Sequence, residues 1–349
     1  MRKIIIPIVV LLAIALFTSG CTGVGIASSW PGITSTGETI YTAYGQGVFA
    51  VSPVNGSVLW RYPEKAGKNN FYSAPLQTSD GQIVVGDYNN ELHSMDAKTG
   101  FPRWTFKAEG RWVAQPEFSD GILYAPNADR NLYALDLNGD LLWKFKTNNP
   151  LWAKPLVMNG VVYLAGMDHY LYAIDSNSGQ EIWKTDCGAA IIGNPVNANG
   201  SVYVGTLGNE VLSIKTSNGA VLWRYKTANG VWSGPSVMDG KLYFGDLDGN
   251  FHVITEEDQK LVWSYKADGA LLGSPLLTES AIYFTTEKGS ITALDYTGKV
   301  IFTKSLSEKL YGTPVVSGDN LLVGTTVKEN IVIALDSNGN QVWFLAQPK

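Results

Sequence analysis

Beyond a long apolar stretch at its start, the chain is written in short runs of alternating apolar and polar residues, broken by Asn-Gly, Asp-Gly and other Gly-containing turns. The stretch 154–183, KPLVMNGVVYLAGMDHYLYAIDSNSGQEIW, holds one complete cycle. A proline opens it and an Asn-Gly turn follows. Then come the alternating run 161–164, a polar turn, the run 171–174, an Asp- and Gly-containing turn, and a closing Trp. Period-two runs of this length between turn residues predict β-strands joined as hairpins. Each cycle therefore predicts four strands, A to D, with the proline opening A and the Trp on D. No window carries the 3.6-residue period over ten or more positions that a helix requires.

The cycle occurs eight times. Its prolines are Pro31, Pro75, Pro116, Pro155, Pro195, Pro235, Pro275 and Pro314, spaced by 39 to 44 residues. Its closing aromatics are Trp60, Trp104, Trp143, Trp183, Trp223, Trp263, Phe302 and Trp343, each 27 to 29 residues after its proline. About forty residues in four antiparallel strands is the unit of a β-propeller. Proline suits strand A, because the innermost strand of a blade is a sheet edge on the central channel and its first residue needs no donor. The fold class expected is all-β: an eight-bladed β-propeller of four-stranded antiparallel blades over residues 29–349. An open array of repeats would need polar caps. The last cycle is as complete as its neighbours, so the first and last blades are expected to meet.

Composition agrees. Charged residues are 16%, and Gly (37), Tyr (17) and Trp (11) are plentiful. That excludes a disordered chain, which is poor in aromatics. A net charge of −5 disfavours a nucleic-acid binder, which needs basic surface to neutralise phosphates. Two cysteines exclude a disulfide scaffold.

The apolar start is an address. Arg2 and Lys3 precede 14 apolar residues, 4–17, which is short for a membrane span and the right length for a secretion signal. Thr18, Ser19 and Gly20 lead into Cys21. Small residues before a Cys resemble a bacterial lipobox, so residues 1–20 read as a lipoprotein-type signal peptide, Cys21 as the lipidated residue, and 21–28 as a tether. Thr18 stands where such signals usually carry Leu, which keeps cleavage without lipid and an uncleaved anchor as alternatives. All three place the body outside the cytoplasm, either at the periplasmic face of an outer membrane or at the outer face of the cytoplasmic membrane.

The cycles share a finer signature, A-x-D-x-x-[TSN]-G…W. Examples are Ala134-Leu135-Asp136…Gly139…Trp143, Ala173-Ile174-Asp175…Gly179…Trp183 and Ala334-Leu335-Asp336…Gly339…Trp343. It resembles the tryptophan-docking repeat of the PQQ-like (quinoprotein-type) propellers. The resemblance implies that each closing aromatic wedges between neighbouring blades, with the Asp and Gly shaping the C–D turn. Lys215 in blade five and Thr255 in blade six replace the Asp, and both turns are expected to differ in shape. Quinone-dependent enzymes of this fold usually carry a disulfide of adjacent cysteines and blade insertions around the cofactor. Neither feature is found here, so no cofactor and no catalytic residue is expected. A lipid-anchored, eight-bladed member resembles the barrel-assembly lipoproteins of Gram-negative outer membranes, the BamB family. That implies a non-enzymatic scaffold, although the Leu-x-Leu-Arg stretch and acidic insert by which the family meets its partner have no clear counterpart.

The remaining chemistry is sparse. His93 and His252 occupy one strand C slot, filled by Tyr133 and Tyr172 in other blades, and read as packing. His169, beside Asp168 in a B–C turn, is far short of a metal site. The run Asp246-Leu247-Asp248-Gly249-Asn250 resembles the start of a calcium loop and reads as a hairpin turn. Cys187 reads as a small strand residue. The segments entering strand A carry Phe71, Tyr72, Trp112, Trp152, Trp232 and Tyr311, with Arg111 and Lys154 among them. Aromatics with Arg compose binding hot spots. Tyr72, Arg111, Trp112, Trp152, Lys154, Trp232 and Tyr311 are therefore the candidate interface, with packing at the blade base as the alternative. The expected partners are an envelope protein and, through the lipid, a membrane, with no nucleic acid and a monomeric ring. A ligand-binding module for a sugar or peptide is the second reading.

Overall fold

A computed structural model describes residues 32–65, 67–306, 308–326 and 329–347. Cys21, the signal segment, the tether and Pro31 lie outside the described residues. Thirty-two strands form eight four-stranded sheets, each built from consecutive strands in A-B-C-D order. Blade four is typical: Leu156–Met158, Val161–Ala165, Tyr170–Asp175 and Glu181–Asp186 pair antiparallel in sequence. No helix occurs among the described residues.

Burial follows the order of the strands. Strands B and C of each blade are nearly continuous in buried apolar residues, whereas strand D alternates outward and inward. Runs covered on both faces are expected where blades stack against each other face to face. Each core cluster accordingly spans two blades. One joins Tyr163, Leu171 and Ala173 of blade four to Val202, Val204 and Leu212 of blade five.

The ring closes by the same packing. Ile40, Phe49 and Val51 of blade one share a cluster with Leu322, Val332 and Ala334 of blade eight. The Trp343 indole donates to the Pro53 carbonyl at 3.1 Å. Every strand of blade eight comes from 315–345, so packing and this docking bond, rather than an exchanged strand, join the ends.

The docking motif is explained residue by residue. In all eight blades the C–D ladder slips by one residue just before the aromatic. The aromatic then pairs with a small residue or Val on strand C, as Trp183 does with Ala173. The Asp caps the turn, its carboxylate accepting backbone N–H groups two to four residues on: Asp136 from Asn138 at 2.8 Å and from Asp140 at 2.9 Å. The indole N–H reaches the next blade and donates to the carbonyl one residue after its Asp slot. Trp60 meets Ala97 at 2.9 Å, Trp143 meets Ser176 at 3.1 Å and Trp183 meets Thr216 at 3.0 Å. The Gly of that same turn lies against the indole face. At Gly179 φ is +70°, and an added Cβ would stand 2.6 Å from the Trp143 ring. Here Gly is required twice, for its dihedral and for the missing carbon.

Blade five keeps this geometry despite Lys215. Gly219 N–H still donates to the Lys215 carbonyl at 2.9 Å, as Gly179 does to Asp175, and Trp183 still docks. The expectation that its turn differs is corrected, because the backbone bond and the glycine, not the carboxylate, set the shape. Blade six does differ. Gln259 stands at the glycine position with φ +53°, and the Trp223 indole makes no bond to the Glu256 carbonyl.

Candidate protein-binding surface

The D-to-A crossovers and the B–C turns share one mouth of the ring, because strands alternate in direction. The crossovers into blades two to seven are each held at two points. Trp112 N–H donates to the Asp87 carbonyl of the preceding blade at 3.0 Å, and Ala128 N–H of the following blade donates to the Arg111 carbonyl at 3.0 Å. The same double bond pattern recurs at Val231 and Leu247, and at Leu271 and Glu287. A crossover fixed in this way presents its side chains in a set order counted back from the proline.

Four residues before the proline the side chain points into the blade. Phe71, Trp112, Leu151, Ile191, Val231, Leu271 and Leu310 all sit here and all are buried. Trp112 is 1% exposed, and its ring packs against Phe106 and Tyr133. Trp112 is therefore corrected from interface to core. Gly86 sits under it, and a Cβ there would run into the Trp112 side chain.

Three residues before the proline the side chain turns towards the mouth. Tyr72, Val113, Trp152, Trp232, Leu272 and Tyr311 are partly exposed, Trp152 by 37%. The structure brings three of the expected residues together on one side. Tyr72 stacks on Tyr88 with ring centroids 3.8 Å apart, and the Arg111 guanidinium lies 5.2 Å above the Tyr88 ring. Arg111 and Trp152 line one groove of about 450 Å³ with Tyr88, Val113 and Pro150. Burial pushes the Tyr72 and Tyr88 phenols up, so both remain neutral hydrogen-bond donors.

Trp232 and Tyr311 lie elsewhere on the mouth, where they flank a smaller cavity of about 190 Å³ with Ile192 and Leu272. Lys154 belongs to neither group. Its ammonium pairs with Glu117 at 2.6 Å, and it borders an inner cavity with Thr34, Leu76 and Gln115. Tyr88, Val113, Ile192 and Leu272 were not among the expected residues. The constant offset from the proline is the sequence signal that points to the last three.

The titratable groups set aside above are engaged structurally. His93 Nε2 meets Asp87 at 3.1 Å and His252 Nε2 meets Asp246 at 3.2 Å. Tyr133 donates to Asp129 at 2.7 Å and Tyr172 to Asp168 at 2.6 Å. One tie from strand C to the B–C turn thus recurs with either side chain. The Asp246 carboxylate also caps its own turn, accepting from Asp248 and Asn250 N–H. Asp87, Glu91 and His93 have donor atoms within 4.8 Å of one another and could hold a metal ion. The Asp87 carboxylate already accepts from Asn69 Nδ2, Asn89 N–H and Glu91 N–H. Cys187 is buried, and desolvation pushes its thiol up to about 12, which makes it inert at neutral pH.

Comparison with known proteins agrees with this architecture. No curated protein matches the chain. Among solved structures, BamB from Moraxella catarrhalis is 18% identical with a TM-score of 0.73, covering 84% of this chain and 93% of that one. A computationally designed protein, Ika8, is 15% identical with a TM-score of 0.73, covering 91% and 97%. At these identities the likeness shows the fold alone. Residues 44–153, 137–231 and 215–349 each match the family described as outer membrane protein assembly factor BamB. The chain therefore belongs to the BamB family of PQQ-like propellers.

Proposed function

We propose that the protein is a non-enzymatic, lipid-anchored scaffold of the cell envelope whose crossover-bearing mouth docks a protein of the outer-membrane assembly machinery. The observation that carries this reading is the Tyr72–Tyr88–Arg111–Trp152 group, presented to solvent by crossovers and a B–C turn that backbone bonds tie together. Rigid aromatic and Arg anchors bind at low ordering cost, because the free surface already has the bound shape. Family membership supplies the class of partner. The lipid anchor rests on the Thr18–Cys21 stretch of the sequence.

A photocrosslinking residue placed at Val113, beside the groove, tests the docking surface in cells. The expected product is a crosslink to a protein of the assembly machinery, weakened by Trp152→Asp and by Arg111→Glu at unchanged melting temperature. Crosslinking unaffected by either variant would reject the surface. Palmitate labelling that disappears in Cys21→Ala tests the anchor. A sugar- or peptide-binding role would use the cavity beside Trp232 and Tyr311. At about 190 Å³ that cavity is smaller than the usual 300–1,000 Å³ of small-molecule sites, which argues against it as such a site.

A further inference from the structure

We propose that the junction of blades five and six, on the mouth opposite the crossovers, is a binding site for an organic cation carrying an alkylammonium or guanidinium group. The argument starts from Gln259. At the other docking turns a Cβ in the glycine position would stand 2.5 to 3.0 Å from the facing aromatic ring. Gln259 has that carbon, so its turn cannot close on the Trp223 indole. The indole N–H, docked in six other blades, is left without a carbonyl partner, and the junction holds a cavity of about 670 Å³.

The lining of this cavity selects a cation. Trp223 and Tyr203 supply aromatic surface, Glu256 and Glu257 supply carboxylates, and no basic side chain is present. Glu256 is turned inward and fixed, accepting from Tyr203 Oη at 2.6 Å and from Asn199 Nδ2 at 2.9 Å. The Ser213 hydroxyl is buried on the wall of the cavity beside the Tyr203 phenol. An indole beside carboxylates is the pairing that attracts ammonium and guanidinium groups.

The first junction shows what this lining lacks. There the equivalent cavity, about 480 Å³, is lined by Asp80 and Asp96, and the protein's own Arg103 pairs with them at 3.4 Å and 2.8 Å. In blade six the position of Arg103, one before the docking Trp, is Val262. The nearby Lys260 is turned to Asp258 at 2.5 Å and does not line the cavity. The fifth junction keeps the aromatic wall and carries its own carboxylates, Glu256 and Glu257, at the positions of Ala97 and Lys98, but no internal guanidinium lines it.

The inference is independent of the docking surface proposed above. Titration calorimetry on the mature full-length protein at low salt tests it, with Nα-acetyl-arginine methylamide, spermidine and the neutral citrulline analogue as probes. Both cations are expected to bind at one site and citrulline not to bind. Tighter binding of the arginine derivative identifies a basic side chain of a partner protein as the source, and tighter binding of spermidine identifies a free polyamine. Glu257→Gln should weaken either about threefold, since it removes an exposed charge and no packing. Gln259→Gly should restore the docking turn, abolish binding and raise the melting temperature. Citrulline binding equally well, cation binding unchanged in both variants, or no saturable binding of either cation would overturn the proposal.

Discussion

The docking tryptophans should not be equivalent, and the difference can be worked out for Trp183 and Trp223. Both sit on strand D, tilted against a Tyr of their own blade with ring centroids 5.8 and 5.7 Å apart. A buried indole removes 150–250 Å² from water, an upper bound of about 4–6 kcal/mol at 25 cal/mol/Å². Trp183 is only partly buried, which lowers that figure, but it adds a hydrogen bond to Thr216 worth about 1 kcal/mol and closes on Gly219. Truncation also leaves a cavity. Trp183→Ala should therefore cost about 3–5 kcal/mol. Trp223 has neither the bond nor the glycine, so Trp223→Ala should cost about 2–3 kcal/mol. Urea denaturation followed by circular dichroism measures both midpoints. For a ring of this size the thermal shifts should be roughly 2 °C per kcal/mol. Equal losses, or a larger loss at Trp223, would refute the account of the altered junction.

Four further outcomes are expected. Gly179→Ala should cost roughly 2–4 kcal/mol in urea denaturation, because it meets both a φ of +70° and the Trp143 ring, whereas Gly121→Ala, at φ +82° in open space, should cost about 1 kcal/mol. Trp112→Asp should prevent folding, as seen by loss of near-ultraviolet dichroism, while Trp152→Asp should leave the melting temperature within about 1 °C. The Arg103 guanidinium, followed by the Thr99 hydroxyl, holds Asp96 down to about 2. Its contribution to stability is present above the unfolded carboxylate pKa near 4 and is lost as the pH falls towards 2. Arg103→Gln should therefore flatten that part of the acid-unfolding curve and raise the Asp96 titration midpoint read by NMR. In a Cys21→Ser form, Cys187 should resist a thiol reagent at pH 8 in the native state and react fully in urea, because burial holds its thiol near 12.

The ring was legible because every blade solves one packing problem. A strand covered on both faces, a turn that needs Gly and an aromatic that needs a neighbour all leave the same marks at the same spacing. The candidate surface was only half legible, for a physical reason that Trp112 illustrates. Residue type groups Trp112 with Trp152, but the crossover backbone separates them: four residues before the proline a side chain enters the blade, and three before it turns to the mouth. Counting from Pro116 and Pro155 would have assigned each correctly. The blade six junction was less accessible still. Thr255 drew attention to the turn, but the decisive residue is Gln259, and its effect falls on Trp223 of another blade, so no local pattern contains it.

These two mouths are under different constraints. On the crossover side, the buried residue must fit over a strand B that narrows to Gly at 86, 205 and 245, so its volume is bounded by contact. Its neighbour one position on meets solvent, and Tyr72, Val113, Trp152 and Tyr311 differ freely in size and polarity without disturbing the ring. Recognition can therefore be rewritten there blade by blade. On the opposite side every C–D turn is itself a docking element, so a substitution there acts on a junction as well as on the surface. Gln259 is the one such replacement among the eight docking turns, and the closed ring, carried by seven intact junctions, tolerates it.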